Sequence, residues 1–105
     1  MPKRYRVKIT RRAEEDIEAI YTYIYHDNPK AASAFVVELE HQIYSLERFP
    51  LRCPTILEAE ELGVPYSHLI YGEYRTIFRI SGNKVYILRV IHGSRLLDLT
   101  LLTPL

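Results

Sequence analysis

At 105 residues the chain has room for one domain and not for two, and it is long enough to bury a core without metals or disulfides. Hydrophobic residues make up 48% and charged residues 26%, which excludes global disorder, and a formal net charge of +1 argues against a strongly basic nucleic-acid binder. The single cysteine, Cys53, cannot form an internal disulfide and fits a reducing, cytoplasmic setting.

The first ten residues are basic but lack the apolar stretch of a signal peptide. No apolar run approaches the ~20 residues that cross a bilayer, so no membrane role is expected. Tyr5, Val7 and Ile9 alternate with Arg6 and Lys8, the period of a half-buried strand. Thr10 suits a helix N-cap, since its hydroxyl accepts from the first free helical N–H groups. Ala13, Ile17, Ile20, Tyr21 and Ile24 then recur at helical spacing, and the acidic residues 14–16 and 18 crowd the end where the helix dipole favours negative charge. Asn28-Pro29 is a second cap followed by proline at the first helical position. Ala32, Phe35, Val36, Leu39, Ile43 and Leu46 mark another amphipathic helix that stops near Phe49-Pro50. The spacing therefore predicts an antiparallel hairpin of helices Thr10–Asp27 and Pro29–Phe49.

Residues 50–66, with three prolines, Gly63 and the acidic Glu58, Glu60 and Glu61, predict a long surface connection with a helical turn near Glu58–Leu62. Cys53 falls in it between Arg52 and Pro54 and reads as structural rather than nucleophilic. The last third predicts a β-meander. Strand His68–Tyr71 leads through Gly72-Glu73 to strand Tyr74–Ile80, and Gly82-Asn83 makes a hairpin turn to strand Val85–His92. Leu96–Leu105 is a leucine-rich tail.

A two-residue turn at Gly82-Asn83 sets Ser81 opposite Lys84 and, counting back, Arg79 opposite Tyr86, Ile77 opposite Leu88, Arg75 opposite Val90 and Glu73 opposite His92. By alternation one face carries Tyr74, Thr76, Phe78, Ile80, Val85, Ile87 and Ile91, apolar enough to receive the helices. The other carries Arg75, Arg79, Tyr86 and His92 among Ile77, Leu88 and Val90. Arg89 falls on the apolar face, where this parity gives it no role, and a bulge would shift every assignment. Two arginines, a tyrosine and a histidine on one face fit a site for phosphate or carboxylate groups, with His92 able to exchange a proton near neutral pH. The competing reading is an ordinary solvated face on which arginine stems cover apolar neighbours.

There is no glycine-rich phosphate loop, no Cys/His metal spacing, no His-Glu-x-x-His and no Gly-x-Ser-x-Gly, so neither a cofactor nor a metal is expected.

The chain as a whole resembles the RelE/ParE toxin superfamily of type II toxin–antitoxin systems. The resemblance rests on Tyr5-Arg6-Val7-Lys8-Ile9-Thr10, Ala13, Glu15-Asp16-Ile17, Tyr23-Ile24, Asn28-Pro29 with Ala31-Ala32 and Phe35, and Leu46 before Phe49-Pro50. It continues through Tyr74-Arg75-Thr76-Ile77-Phe78-Arg79-Ile80 and Val90-Ile91-His92-Gly93-Ser94-Arg95, covering residues 5–95. It implies an α+β fold, an N-terminal strand and α-helical hairpin packed on an antiparallel β-meander, as a single toxin domain over residues 1–105.

The resemblance further implies a cytoplasmic, growth-arresting toxin of the plasmid-stabilisation type, neutralised by a cognate antitoxin in a heterotetramer. ParE-like members inhibit DNA gyrase and stabilise its cleaved-DNA complex, whereas RelE-like members cleave mRNA on the ribosome. Mild charge and a lysine-poor middle segment favour the gyrase reading, since binding the ribosome rewards dense positive charge. The alternative is a metal-independent endoribonuclease in which His92 or Tyr86 moves protons and Arg75, Arg79 and Arg95 hold the phosphate. A non-toxic interaction module is the third reading.

Overall fold

The computed structural model describes residues 4–56 and 66–93. Strand β1 (Arg6–Ile9) runs into helix α1 (Arg11–Asp27), then α2 (Pro29–Tyr44) and two short 3-10 turns, Ser45–Glu47 and Pro50–Arg52. Strands β2 (Tyr66–Tyr71), β3 (Tyr74–Ser81) and β4 (Lys84–His92) follow. The four strands form one mixed sheet in the order β1-β4-β3-β2, with the meander antiparallel and β1 added parallel to β4. The helical hairpin packs on one face of this α+β fold.

Capping accounts for where the helices begin. Thr10 is extended (φ −70°, ψ 159°), and its Oγ1 accepts from the Ala13 N–H at 3.2 Å. Asn28 serves both helices: its N–H donates to Ile24 O at 2.9 Å, and its Oδ1 accepts from the Ala31 N–H at 3.1 Å. Pro29 lacks an N–H at a position where none is needed. The second helix ends at Tyr44 rather than Phe49. Beyond it, Ser45 Oγ donates to Gln42 O at 2.6 Å and the chain tightens into the 3-10 turn that buries Leu46.

The main core lies between hairpin and sheet. Ala13, Ile20, Leu39, Ile43 and Leu46 meet Phe78, Val85, Ile87 and Val90, all buried, with Ile17, Ile24 and Phe35 at the margin. Both hairpin turns need a left-handed residue at their first position, which Gly72 (φ 59°) and Gly82 (φ 62°) supply.

The other sheet face has its own apolar cluster, Ile56, Ile77, Leu88 and Ile91, flanked by Tyr66 and Tyr86. It is therefore more than a solvated face. Residues 54–56 reach it along the outer edge of β2, where Ile56 N–H donates to Tyr66 O at 3.0 Å and His68 N–H to Pro54 O at 3.1 Å. The helical turn expected at Glu58–Leu62 and the tail Leu96–Leu105 lie outside the described residues.

Pairing across the Gly82-Asn83 turn starts as expected, with Ser81 opposite Lys84, Arg79 opposite Tyr86 and Phe78 opposite Ile87. It then shifts: Ile77 pairs with Arg89, Thr76 with Val90, Arg75 with Ile91 and Tyr74 with His92. Leu88 is the extra residue of a β-bulge. Beyond it the faces exchange, so Val90 joins the core under the helices and Ile91 joins the cluster on the far face.

Candidate functional site on the far sheet face

The bulge is held by the first helix. Thr10 N–H and Thr10 Oγ1 both donate to Ile87 O, at 3.1 and 2.7 Å, and the hydroxyl lies 3.4 Å from Leu88 O. In the second turn of α1, Asp16 Oδ2 accepts from Arg89 Nε at 2.7 Å and from the Val90 N–H at 3.0 Å. Asp16 Oδ1 accepts from Arg89 Nη2 at 3.2 Å. The guanidinium and carboxylate side chains are only 7% and 13% exposed, so this pair is desolvated. Arg89, which strand parity leaves without a role, is the cation that anchors α1 to the bulge.

Strand alternation then distributes the candidate residues. On β3, Tyr74, Phe78 and Ile80 pack toward the helices, which turns Arg75, Ile77 and Arg79 to the far face. On β4, Tyr86 packs against the far-face cluster, and the Arg79 guanidinium lies 4.8 Å from the centre of its ring. Arg75 is buried, with Ile70 and Ile91 as cross-strand neighbours. The structure therefore does place Arg75, Arg79 and Tyr86 on one face.

It does not place His92 with them. The bulge sets His92 opposite Tyr74, whose ring it meets edge-on at 5.6 Å between centroids. His92 Nε2 lies 3.8 Å from Glu73 Oε2. Tyr74 also packs edge-on against Phe35 at 5.3 Å, so His92 belongs to an aromatic corner on the helix side of the sheet. Gly93 follows, its N–H donating to Glu73 O at 2.7 Å; a Cβ there would stand 3.3 Å from that oxygen. Arg95 lies outside the described residues.

The imidazole that the far face does carry is His68. Leu69 and Tyr71 pack toward the helices, which turns Tyr66, His68 and Ile70 the other way, and His68 pairs with Ile77 between the Arg75 and Arg79 rows. Sequence reasoning passed over it because a four-residue strand with one histidine gives no face until its register against β3 is known.

Burial raises the Tyr74 hydroxyl above the ordinary tyrosine range, with Tyr23 and Glu73 adding to the effect. Burial likewise raises the Cys53 thiol, against a smaller opposing effect of Arg52. Among the described residues no group of three or more His, Cys, Asp or Glu side chains is arranged to hold a metal, and no helix is long and apolar enough to cross a membrane.

Residues 7–97 match the family model of the ParE toxin of the type II toxin–antitoxin system parDE. Among solved structures, the chain is similar to one from a chromosomal ParDE toxin–antitoxin system of P. aeruginosa. The identity is 25%, the TM-score 0.69, and the match covers 84% of this chain and 95% of that one. It is also similar to a chain of the toxin–antitoxin complex RelBE2 from Mycobacterium tuberculosis. There the identity is 28%, the TM-score 0.59, and the coverage 85% of this chain and 98% of that one. A comparison with curated proteins gives no match.

Proposed function

The chain belongs to the ParE toxin family of type II toxin–antitoxin systems, and from that premise we propose that it arrests growth by engaging DNA gyrase through surface contacts. In this reading a cognate antitoxin neutralises it in the cytoplasm, in a heterotetramer. The similarity to chains from two toxin–antitoxin systems supports the antitoxin partner.

The observation that carries the gyrase reading is the match of residues 7–97 to the ParE toxin family, and the β4 bulge adds to it by removing His92 from the arginine face. A ribonuclease that relied on His92 for proton transfer would need that imidazole beside the phosphate-holding Arg75 and Arg79. The bulge turns His92 to the opposite side, against Tyr74 and Glu73. A toxin that recognises a protein surface has no such requirement.

His68 supports the second reading. It brings an imidazole to the face that carries Arg75 and Arg79, so a ribosome-dependent ribonuclease would use His68 in the role first assigned to His92.

Induced expression followed by separate gyrase and ribosome assays tests both. Gyrase poisoning predicts accumulated DNA breaks with intact mRNA, and growth arrest that survives His92→Gln and His68→Gln. Codon-positioned mRNA cuts in purified ribosome reactions, lost by about a hundredfold or more in either variant, would replace the gyrase reading with the nuclease.

A further inference from the structure

The sheet has two edges, and the chain treats them differently. The outer edge of β2 is bonded by residues 54–56, through Ile56 N–H to Tyr66 O and His68 N–H to Pro54 O. The other edge is β1. Arg6 N–H donates to Asn83 O at 2.8 Å and Thr10 N–H to Ile87 O at 3.1 Å, so the even-numbered residues turn their backbone groups toward β4. The odd-numbered residues turn theirs outward. Tyr5 N–H meets Glu47 O at 2.8 Å, which closes the start of the strand against the 3-10 turn. Beyond it, no described residue bonds to the outward N–H and C=O groups of Val7 or to the outward N–H of Ile9.

Side chains along this edge alternate. Val7 and Ile9 pack against the core under the helices, which leaves Arg6 and Lys8 exposed on the other face. Among the described residues no carboxylate pairs with either cation. Charged residues on an open edge restrain it from pairing with copies of itself. Here they refuse the β1 of a second copy, because its Arg6 and Lys8 would lie against these two on one face. They do not refuse a strand that brings carboxylates.

We propose that the outer edge of β1 takes up, as a fifth strand, an extended segment of a partner protein in which apolar and acidic residues alternate. In antiparallel pairing one residue of the segment lies opposite Val7 and exchanges both N–H···O bonds with it. Its two neighbours lie opposite Arg6 and Lys8 and share their face, so both are Asp or Glu. The central residue and those two positions away share the face of Val7 and Ile9, beside the helical hairpin, so they are apolar. The pattern is therefore apolar-acidic-apolar-acidic-apolar. Main-chain bonds supply the affinity, and the alternation fixes the register, since a slip of one residue would set apolar groups against the cations. The inference rests on the strand geometry and not on the gyrase reading.

The test is a nuclear magnetic resonance titration of the full, isotope-labelled chain with a capped peptide of central sequence Val-Glu-Val-Glu-Val. Binding should slow amide exchange at Val7 and Ile9, and leave Arg6 and Lys8, whose amides already face β4, unchanged. The exposed pair Arg6→Glu/Lys8→Glu should weaken this peptide about tenfold or more and take up Val-Lys-Val-Lys-Val instead, with an unchanged circular dichroism spectrum. N-methylation of the central valine should abolish binding, whereas N-methylation of a glutamate, whose N–H points away from β1, should be tolerated. The proposal is overturned if the peptide leaves Val7 and Ile9 unprotected, or if the scrambled sequence Glu-Glu-Val-Val-Val binds as well. It is equally overturned if charge reversal has no effect, or if the two N-methyl peptides bind alike, since attraction between charges alone would then explain the affinity. Protection of the same amides that rises with protein concentration, without peptide, would assign the edge to a second copy and overturn it too.

Discussion

Asp16 is the residue whose removal should cost most for its size. Three hydrogen bonds converge on its carboxylate, two from Arg89 and one from the Val90 N–H, at a nearly buried site. Asp16→Ala strands a guanidinium away from water and should cost about 3–5 kcal/mol in urea unfolding. Adding Arg89→Met removes the stranded charge and should recover at least about 1 kcal/mol, because the pair is coupled. A single-variant loss below about 1 kcal/mol would mean that water reaches this pair in solution. Tyr74 gives a second handle, at high pH. Its hydroxyl is raised in the fold by burial, then by Tyr23 and Glu73, so the folded state favours the neutral phenol. That contribution is fully present below the unfolded tyrosine value of about 10 and is lost as pH rises through the higher folded value. The stability of the protein should fall on alkaline titration by more than that of Tyr74→Phe, and the two curves should differ only above about pH 10. Parallel curves throughout would show that Tyr74 ionises as freely in the fold as in the unfolded chain.

The element that shapes the site is the bulge in β4, and Thr10 is its smallest control. One hydroxyl caps α1 through the Ala13 N–H and donates to Ile87 O at the bulge. Thr10→Ala removes both contacts and should cost about 1–2 kcal/mol, whereas Thr10→Ser should keep most of the stability. Equal losses in the two variants would assign the effect to the threonine methyl group. The same element explains what could be read from the sequence. Helix starts were legible because Thr10 and Asn28-Pro29 are local chemistry, and the turns because Gly72 and Gly82 supply the positive φ that each requires. Facing partners from Ser81 to Phe78 were legible by counting from a two-residue turn. Beyond Phe78 the count fails by one residue, since Leu88 is inserted by contacts from Thr10 and Asp16, more than 70 positions earlier in the chain. No local pattern announces such a bulge, although a charged Arg89 inside an apolar strand was its trace. For the same reason Arg75, Arg79 and Tyr86 fall on one face as the count has them, whereas His92 falls on the other and His68 joins the first. The parallel pairing of β1 with β4 was equally invisible, because it joins segments at opposite ends of the sequence.

At the scale of the whole molecule, the described helices carry seven carboxylates and the described strands none, so the hairpin and the sheet differ in charge. The proposed antitoxin has apolar surface to cover. Val37 is 69% exposed and Tyr44 45%, and they lie seven residues apart on the side of α2 opposite Leu39 and Ile43. Leucines at 96, 97, 99, 101 and 102 supply a second apolar group, in the tail beyond the described residues. A cluster of that size is seldom left in water, so the tail is expected to contribute to the antitoxin interface. Removing Leu96–Leu105 should then weaken the complex at least about tenfold, or about 1.4 kcal/mol, in a titration of antitoxin into toxin. Thermal unfolding of the truncated toxin alone separates this from a tail that folds back as core, because loss of core leucines would lower its midpoint by several degrees before any partner is added. If affinity is unchanged by truncation but lost in Val37→Asp/Tyr44→Asp, the antitoxin lies on the outer face of α2. The far sheet face would then remain open in the neutralised complex, and the antitoxin would have to act by keeping the hairpin from its target rather than by covering the strands.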